Sequence, residues 1–319
     1  MSFPKLPARA AYLTIDNASR RNALSVRVLD DLRRQLIEYN TPPGETAPLL
    51  LPDFNSGVLR NVFEISPKRT TRTATEIKYS WLRDAEEWER RRHSLPKVLV
   101  LRTHGPVFSS GHDLKEMDAL GKEDKQKVFQ TFRQCAEVMS LIRQSPIPVV
   151  GVIHGLATAA GAQLALTTDL PVAIASAQFQ LPGMSIGLPC TSPSTILSRK
   201  LGDAFTYRMF ALGEPVRADE LPGGAVETVP DETALEKRVS EIVDKLCNSS
   251  AQAQAMGKWA YWTQAQLGTT QIGLLKNTVD SYFKAARWAA RAMTIHADSA
   301  DAKEGREAFL EKRAPVWRA

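Results

Sequence analysis

Cysteine is scarce in this chain: three residues in 319, at positions 135, 190 and 247. Spaced so widely, they form neither a disulfide framework nor a zinc pattern, and a reducing compartment is the default. Long apolar runs are lacking too. The longest, such as PKVLVLR and IPVVGVI, fall far short of the ~20 residues a membrane-spanning helix needs, so no membrane span is expected. The opening MSFPKLPARAAYLTID has no apolar stretch of the secretory kind. Phosphate-binding loops, a dinucleotide fingerprint between strand and helix, and His/Cys metal spacings are absent as well. Neither a metal nor a bound cofactor is therefore expected. Lys plus Arg exceed Asp plus Glu, 41 against 35, with a pI near 9.2. The basic residues are scattered and not interleaved with aromatics, which argues against nucleic acid as a partner and leaves only a general preference for anions.

What is present is an ordinary globular mixture, 43% hydrophobic and 24% charged, long enough for one or two domains. AAYLTID (10–16) reads as a strand. Residues 23–39 place Leu24, Val28, Leu32, Leu36 and Tyr39 at helical spacing, with Ser25 as N-cap. From 41 to 95 the periodicity breaks: TPPGETAPLLLPDFNSG is rich in turn formers, KRTTRTATE is polar and basic, and WLRDAEEWERRR reads as one short charged helix. Trp81, Ala85 and Trp88 then share a side of that helix, favouring packing over disorder. The segment reads as an insertion, a lid, a partner surface or a mobile loop. After Pro96, strands alternate with helices, implying parallel pairing and an α/β fold, and from about Glu232 the chain is helical.

Two turns rich in small residues follow strands, VFSSGHDL (107–114) and GLATAAG (155–161). A helix start gathers unpaired N–H groups and the positive end of the peptide dipoles, and two such donors aimed at one point make an oxyanion hole. GMSIG (183–187) fits the G-x-S-x-G pattern of a hydrolase nucleophile at Ser185. That motif requires strand, sharp turn and helix, and Pro182 and Pro189 argue against any helix beginning there.

RRNALS (21–26), FSSGHDL (108–114), GLATAAGAQL (155–164), FQLPGMSIGL (179–188) and EGREAFLEKRAPVW (304–317) occur in this order. Together they resemble the crotonase, or enoyl-CoA hydratase/isomerase, superfamily over residues 8–40 and 96–319, leaving 41–95 unmatched. The resemblance implies an α/β spiral of ββα units, with a core over 1–245 that carries the insertion 41–95. It further implies a helical trimerisation region over 246–319 and a homotrimer or hexamer. The implied ligand is an acyl-CoA thioester, bound as substrate, its carbonyl oxygen between the backbone N–H groups of His112 and Ala160. The coenzyme end would run along Arg21, Ala23 and Leu24 and along Ser110, Gly111, Asp113 and Leu114, with Leu156 beside it; Arg20 and Arg21 are candidates for the phosphates. On this reading the residues of GLATAAG are small because a ligand lies against the backbone.

Family hydratases use two glutamates, and here Gln163 and Gly183 hold their positions. An amide can hydrogen-bond water but cannot take its proton at pH 7. Asp113, His112 and Cys190 are the candidate replacements, and Met117 and Met184 are expected as apolar filler. If only the acids are missing, Gln163→Glu with Gly183→Glu should gain hydration. The expected function is an acyl-CoA enzyme of fatty-acid or acyl-CoA metabolism with altered chemistry; the alternative is a non-catalytic acyl-CoA-binding or regulatory subunit. The resemblance favours mitochondria and the early first strand favours the cytoplasm. The C-terminal VWRA is no peroxisomal signal.

Overall fold

The computed structural model describes residues 3–63, 73–123, 125–266 and 300–317. Part of the KRTTRTATE stretch, most of the span between 266 and 300 within the expected C-terminal helical region, and the last two residues of VWRA lie outside the described residues.

The central sheet takes β1 (Ala10–Ile15), β2 (Val98–Thr103), β3 (Val149–Ile153), β5 (Leu170–Ile174) and β8 (Glu227–Val229) in that spatial order, every pair parallel. The strand VLVLRT is buried at every position but Arg102, as a strand covered on both faces should be. A smaller sheet holds β4 (Leu156–Thr158), β6 (Gln178–Gln180) and β7 (Val216–Arg217), the first pair parallel and the second antiparallel. α1 (Val26–Asn40) starts where Ser25 Oγ accepts the Val28 N–H at 3.3 Å, and it buries Val28, Leu32 and Leu36 as its spacing predicts. α9 (Glu232–Cys247) lays Leu235, Val239, Ile242 and Val243 against the valines of β2, β3 and β5. That spacing marks one helix face, and each side chain so buried contributes roughly 1.5–3 kcal/mol.

The chain divides into two compact units. One comprises Met1–Tyr39, Pro96–Arg143 and Pro148–Cys247; the other comprises Asn40–Leu95, Gln144–Ile147 and Asn248–Ala319. Residues 41–95, expected as an insertion within a core over 1–245, thus group with the C-terminal helices. Packing supplies the reason. Leu49, Leu51, Leu59, Val62, Phe63, Trp81 and Trp88 form an apolar core with Ala255, Met256 and Trp259 of α10 (Ala251–Gln266). The expected single helix over WLRDAEEWERRR is two, α2 (Ala74–Arg83) and α3 (Ala85–Arg92). Asp84 is extended between them, and its carboxylate accepts the N–H groups of Glu86 and Glu87, both at 3.0 Å. Such a cap favours a new helix start over continuation. Trp81 and Trp88 still meet, their rings 5.6 Å apart. α11 (Ala300–Glu311) completes the described helices of this unit, and Asp301 accepts a buried hydrogen bond from Ser250 at the head of α10. Among the described residues no helix is long and apolar enough to cross a membrane.

Candidate functional site

All the candidate site residues lie in the first unit. The stretch after β2 is knitted to two neighbours. Ser109 donates its N–H to Leu156 O and accepts from Thr158 N, so it runs beside β4. Ser110 N–H donates to Arg21 O at 3.0 Å, and Leu24 N–H to Gly111 O at 2.8 Å. The tie that holds these loops together is Asn22, fully buried and in the left-handed region at φ 51°. Its Nδ2 donates to His104 O (2.6 Å) and Val107 O (2.9 Å), its Oδ1 accepts from Asn17 N, and its carbonyl accepts from Ser109 Oγ at 2.8 Å. Sequence reasoning missed Asn22; its position inside the RRNALS motif was the available signal.

Asp113 is 6% exposed, pairs with Arg20 at 2.5 Å, and accepts the Glu116 N–H at the start of α4 (Leu114–Glu123). It is therefore a loop fastener and helix cap, and a carboxylate engaged in this way is not a candidate base. Arg20, expected near phosphates, is spent on the same pair, while Arg21 stays exposed. Ala23 and Leu24 are buried, Ser110 and Leu156 half-buried and Leu114 exposed. The His112 imidazole is also half-buried and meets Phe132 of α5 (Lys125–Gln144) edge-on at 5.1 Å. Its Nδ1 is enclosed with no partner among the described residues, and burial lowers its pKa below the usual histidine value, opposed by the Leu24 carbonyl.

The second turn leaves β4 through Ala159, whose φ of 49° and ψ of −117° are strained for a residue with a side chain. Its N–H is fixed on Gln180 O at 2.9 Å. α6 (Ala160–Thr167), buried along its whole length, begins directly after. Ala160, the first helical residue, has no carbonyl four residues back to accept its N–H. Among the described residues neither the His112 nor the Ala160 N–H has a partner. The two turns touch. A β-carbon built on Gly111, at φ +80°, would lie 2.8 Å from Thr158 O, 3.1 Å from Ala159 Cβ and 3.4 Å from Ala160 N. One on Gly161 would lie 2.8 Å from Ser109 Cβ. This corrects one expectation: Gly161 is small because the first loop lies against it, not because a ligand does.

Gln163 sits one turn along α6 from Ala160 and is 5% exposed. Ser192 Oγ, on α7 (Thr191–Leu201), donates to its Oε1 at 3.3 Å; among the described residues its Nε2 has no partner. Gly183 lies in a 3₁₀ turn, Pro182–Ile186, that forms with Pro182 at its first position, contrary to the expectation that no helix begins there. Proline is tolerated at that position because it lacks only an N–H that would be orphaned anyway. A β-carbon on Gly183 would collide with Leu188 O and stand 2.8 Å from Cys190 Sγ. The turn is pinned by Leu188 N–H donating to Gly183 O at 2.9 Å. No acid fits at Gly183 in this backbone, so the expected gain from Gln163→Glu with Gly183→Glu does not follow.

Cys190 is buried in that contact, and burial pushes its thiol pKa up, the state of a packing cysteine and not of a nucleophile. Ser185 is exposed, its Oγ donating to Pro182 O at 2.7 Å, and the strand–turn–helix of a nucleophile elbow is not formed. Met117 is buried as expected, whereas Met184 is 49% exposed and fills no core. Among the described residues no group of three or more His, Cys, Asp or Glu side chains could hold a metal ion.

Known proteins resemble this chain in sequence and in fold. The family model described as enoyl-CoA hydratase/isomerase matches residues 88–319. The rat protein named enoyl-CoA hydratase domain-containing protein 3, mitochondrial, is 36% identical over 279 residues, which cover 86% of this chain and 87% of that one. The crystal structure of human enoyl coenzyme A hydratase domain-containing protein 3 superposes with a TM-score of 0.68 at 29% identity, over 98% of each chain. An enoyl-CoA hydratase from Mycobacterium smegmatis superposes with a TM-score of 0.69 at 29% identity, over 99% of this chain and 98% of the other. With a crotonase-like α/β fold and family motifs spread from Arg21 to Trp317, this chain belongs to the enoyl-CoA hydratase/isomerase family.

Proposed function

We propose that the chain binds an acyl-CoA thioester with its carbonyl oxygen between the N–H groups of His112 and Ala160, and that it acts in acyl-CoA metabolism without the hydratase acid–base pair. The observation that carries the reading is the approach of the two turns, 3.4 Å from a β-carbon on Gly111 to Ala160 N, with both neighbouring N–H groups lacking acceptors. Donors of this kind act on charge that develops in the transition state, and each is worth ~3–4 kcal/mol there. Binding of butyryl-CoA to the full-length protein, followed by calorimetry, tests the site. Micromolar binding that weakens on Gly111→Val supports it; no binding of butyryl-CoA or crotonyl-CoA sinks it.

A second reading, a subunit that binds acyl-CoA without turnover, is favoured by Gly183, where the loop occupies the space an acid would need. Saturable binding with no turnover over a panel of acyl-CoA esters selects it. The coenzyme end runs along Arg21, Ala23, Leu24, Ser110 and Leu114 in either case. Assembly as a homotrimer or hexamer through the 246–319 region is part of the proposal, and light scattering on the purified protein checks it. The rat relative's name places that protein in mitochondria, and a mitochondrial site for this chain is proposed on the same ground; a fluorescent fusion that stays cytoplasmic overturns it.

A further inference from the structure

A threonine buried inside a helix commonly turns its hydroxyl to the carbonyl four residues back. Thr131, Thr167 and Thr263 do so, donating to Lys127 O, Gln163 O and Trp259 O at 3.0, 2.7 and 2.7 Å. Thr206 of α8 (Asp203–Leu212), the remaining buried threonine of the described helices, does not. Only 3% of it is exposed, and its Oγ1 is enclosed without a partner among the described residues. A buried hydroxyl left unpaired costs stability. This one borders a cleft of about 350 Å³ between α7 and α8, room enough for a small molecule.

The cleft has two unlike walls. Asp203, Thr206, Tyr207 and Phe210 line it from α8, at a spacing that sets them on one helix face, and Ser194 and Ser198 line it from α7. The Tyr207 and Phe210 rings stack 6.3 Å apart, with Tyr207 70% exposed. The Asp203 carboxylate has no ion pair or hydrogen bond among the described residues. The cations next to it in sequence are engaged elsewhere: Arg199 donates to Thr195 O and Lys200 to Thr168 O. Ser194 Oγ is committed to Cys190 O at 2.8 Å. An unpaired carboxylate, an unpaired hydroxyl one turn on and two adjacent rings suit a cation with an apolar body, and the carboxylate repels the phosphates of a coenzyme A ester. We propose that the cleft between α7 and α8 binds a small primary ammonium compound, its nitrogen bridging Asp203 and Thr206 and its apolar body lying along Tyr207 and Phe210. Side chains three residues apart on a helix stand ~5–6 Å from each other at their β-carbons, so one ammonium can give hydrogen bonds of about 2.9 Å to both. It carries three donors, and a ring beside the charge adds cation–π attraction. This site is separate from the acyl-CoA reading and stands without it.

Calorimetry on the full-length protein with phenethylamine tests the site. The expected dissociation constant is about 1 mM or lower, the range for so few heavy atoms. 2-Phenylethanol, which lacks the charge, should bind at least about tenfold more weakly, the worth of a hydrogen bond to a charged group, and hydrocinnamate should not bind. Asp203→Asn should weaken phenethylamine binding about tenfold. Thr206→Val, which keeps the shape and removes the hydroxyl, should weaken it about fivefold while melting no earlier than the parent, because no internal partner is lost. Equal binding of the alcohol and the amine overturns the proposal, as does binding that both variants leave unchanged, or no binding at all. A Thr206→Val protein that melts earlier gives the hydroxyl an internal role and also overturns it. Native Tyr207→Cys should label with a maleimide faster than the parent; protection would mean that a second copy of the chain covers the cleft, which refutes a small-molecule site.

Discussion

Gly111 and Gly183 both follow strands, both stand among the candidate site residues, and neither tolerates a β-carbon. The reasons are opposite. Gly111 is crowded by a second turn, at Thr158 O and Ala159 Cβ, with Ala160 N 3.4 Å from where its β-carbon would stand. Gly183 is crowded by its own loop, with Leu188 O and Cys190 Sγ folded over it, and nothing is presented there. A glycine can keep a place open or let a place be filled, and only its neighbours say which.

The largest effect should come from removing an N–H on the open side. Proline is accommodated at the first position of a helix, so Ala160→Pro deletes the donor at the head of α6. It should lower kcat for any thioester that is turned over by ~10²- to 10³-fold, while circular dichroism stays that of the parent. A variant as active as the parent would break the contrast between the two turns. Next comes the tie beneath the first turn. Asn22→Ala takes the amide donor from the His104 and Val107 carbonyls, leaving Val107 O with only the Thr103 hydroxyl at 3.4 Å, and removes the acceptor of the Asn17 N–H; a lost buried partner costs about 1–3 kcal/mol. Urea unfolding should therefore show a loss of about 2–4 kcal/mol; a change below half that would mean the loops hold without it.

On the filled side, Gly183→Ala should cost about 1–3 kcal/mol as an overpacked site, measurable as a lower melting temperature. Gly183→Glu added to Gln163→Glu should give no hydration of crotonyl-CoA, followed by loss of the ultraviolet absorbance of the conjugated thioester. Appearance of hydration would show that the 182–190 loop opens readily. The smallest effect sharpens the surroundings of His112. Its folded pKa is lowered by burial from the ordinary 6.5, so its stabilisation is complete above that value and is lost as pH falls towards the folded pKa, where the unfolded chain alone takes the proton. Melting temperature should drop between pH 7 and pH 5 for the parent by more than for His112→Asn, and parallel curves would disprove the assignment.

Much of this was legible in the residues. Val28, Leu32 and Leu36 repeat at helical spacing, and the run VLVLR carries the signature of a strand buried on both faces. The small residues of GLATAAG announced a close approach. What they approached was less legible, because Ser109 and Gly161 are neighbours only after the two strands pair. Asn22 carries no periodic signal, and its value lies in carbonyls more than 80 positions away. The closed turn at Gly183 depends on where Leu188 O lands, a matter of backbone path and not of residue type. Trp81 and Trp88 signalled packing, but their partner Trp259 lies far along the chain, so the grouping of 41–95 with the C-terminal helices had no local mark.

The pairing of Ala10 with Val98 through Ile15 with Thr103 has a kinetic corollary. Adjacent strands of one ladder are separated by the whole of 41–95, so they can meet only by closing a very large ring. At equilibrium the length of that ring matters little, since each doubling adds only ~0.6 kcal/mol of closure entropy. Assembly speed is another matter, because distant pairings form slowly. Until they do, the Val98–Leu101 run is an unpaired apolar edge, and refolding yield should fall as protein concentration rises.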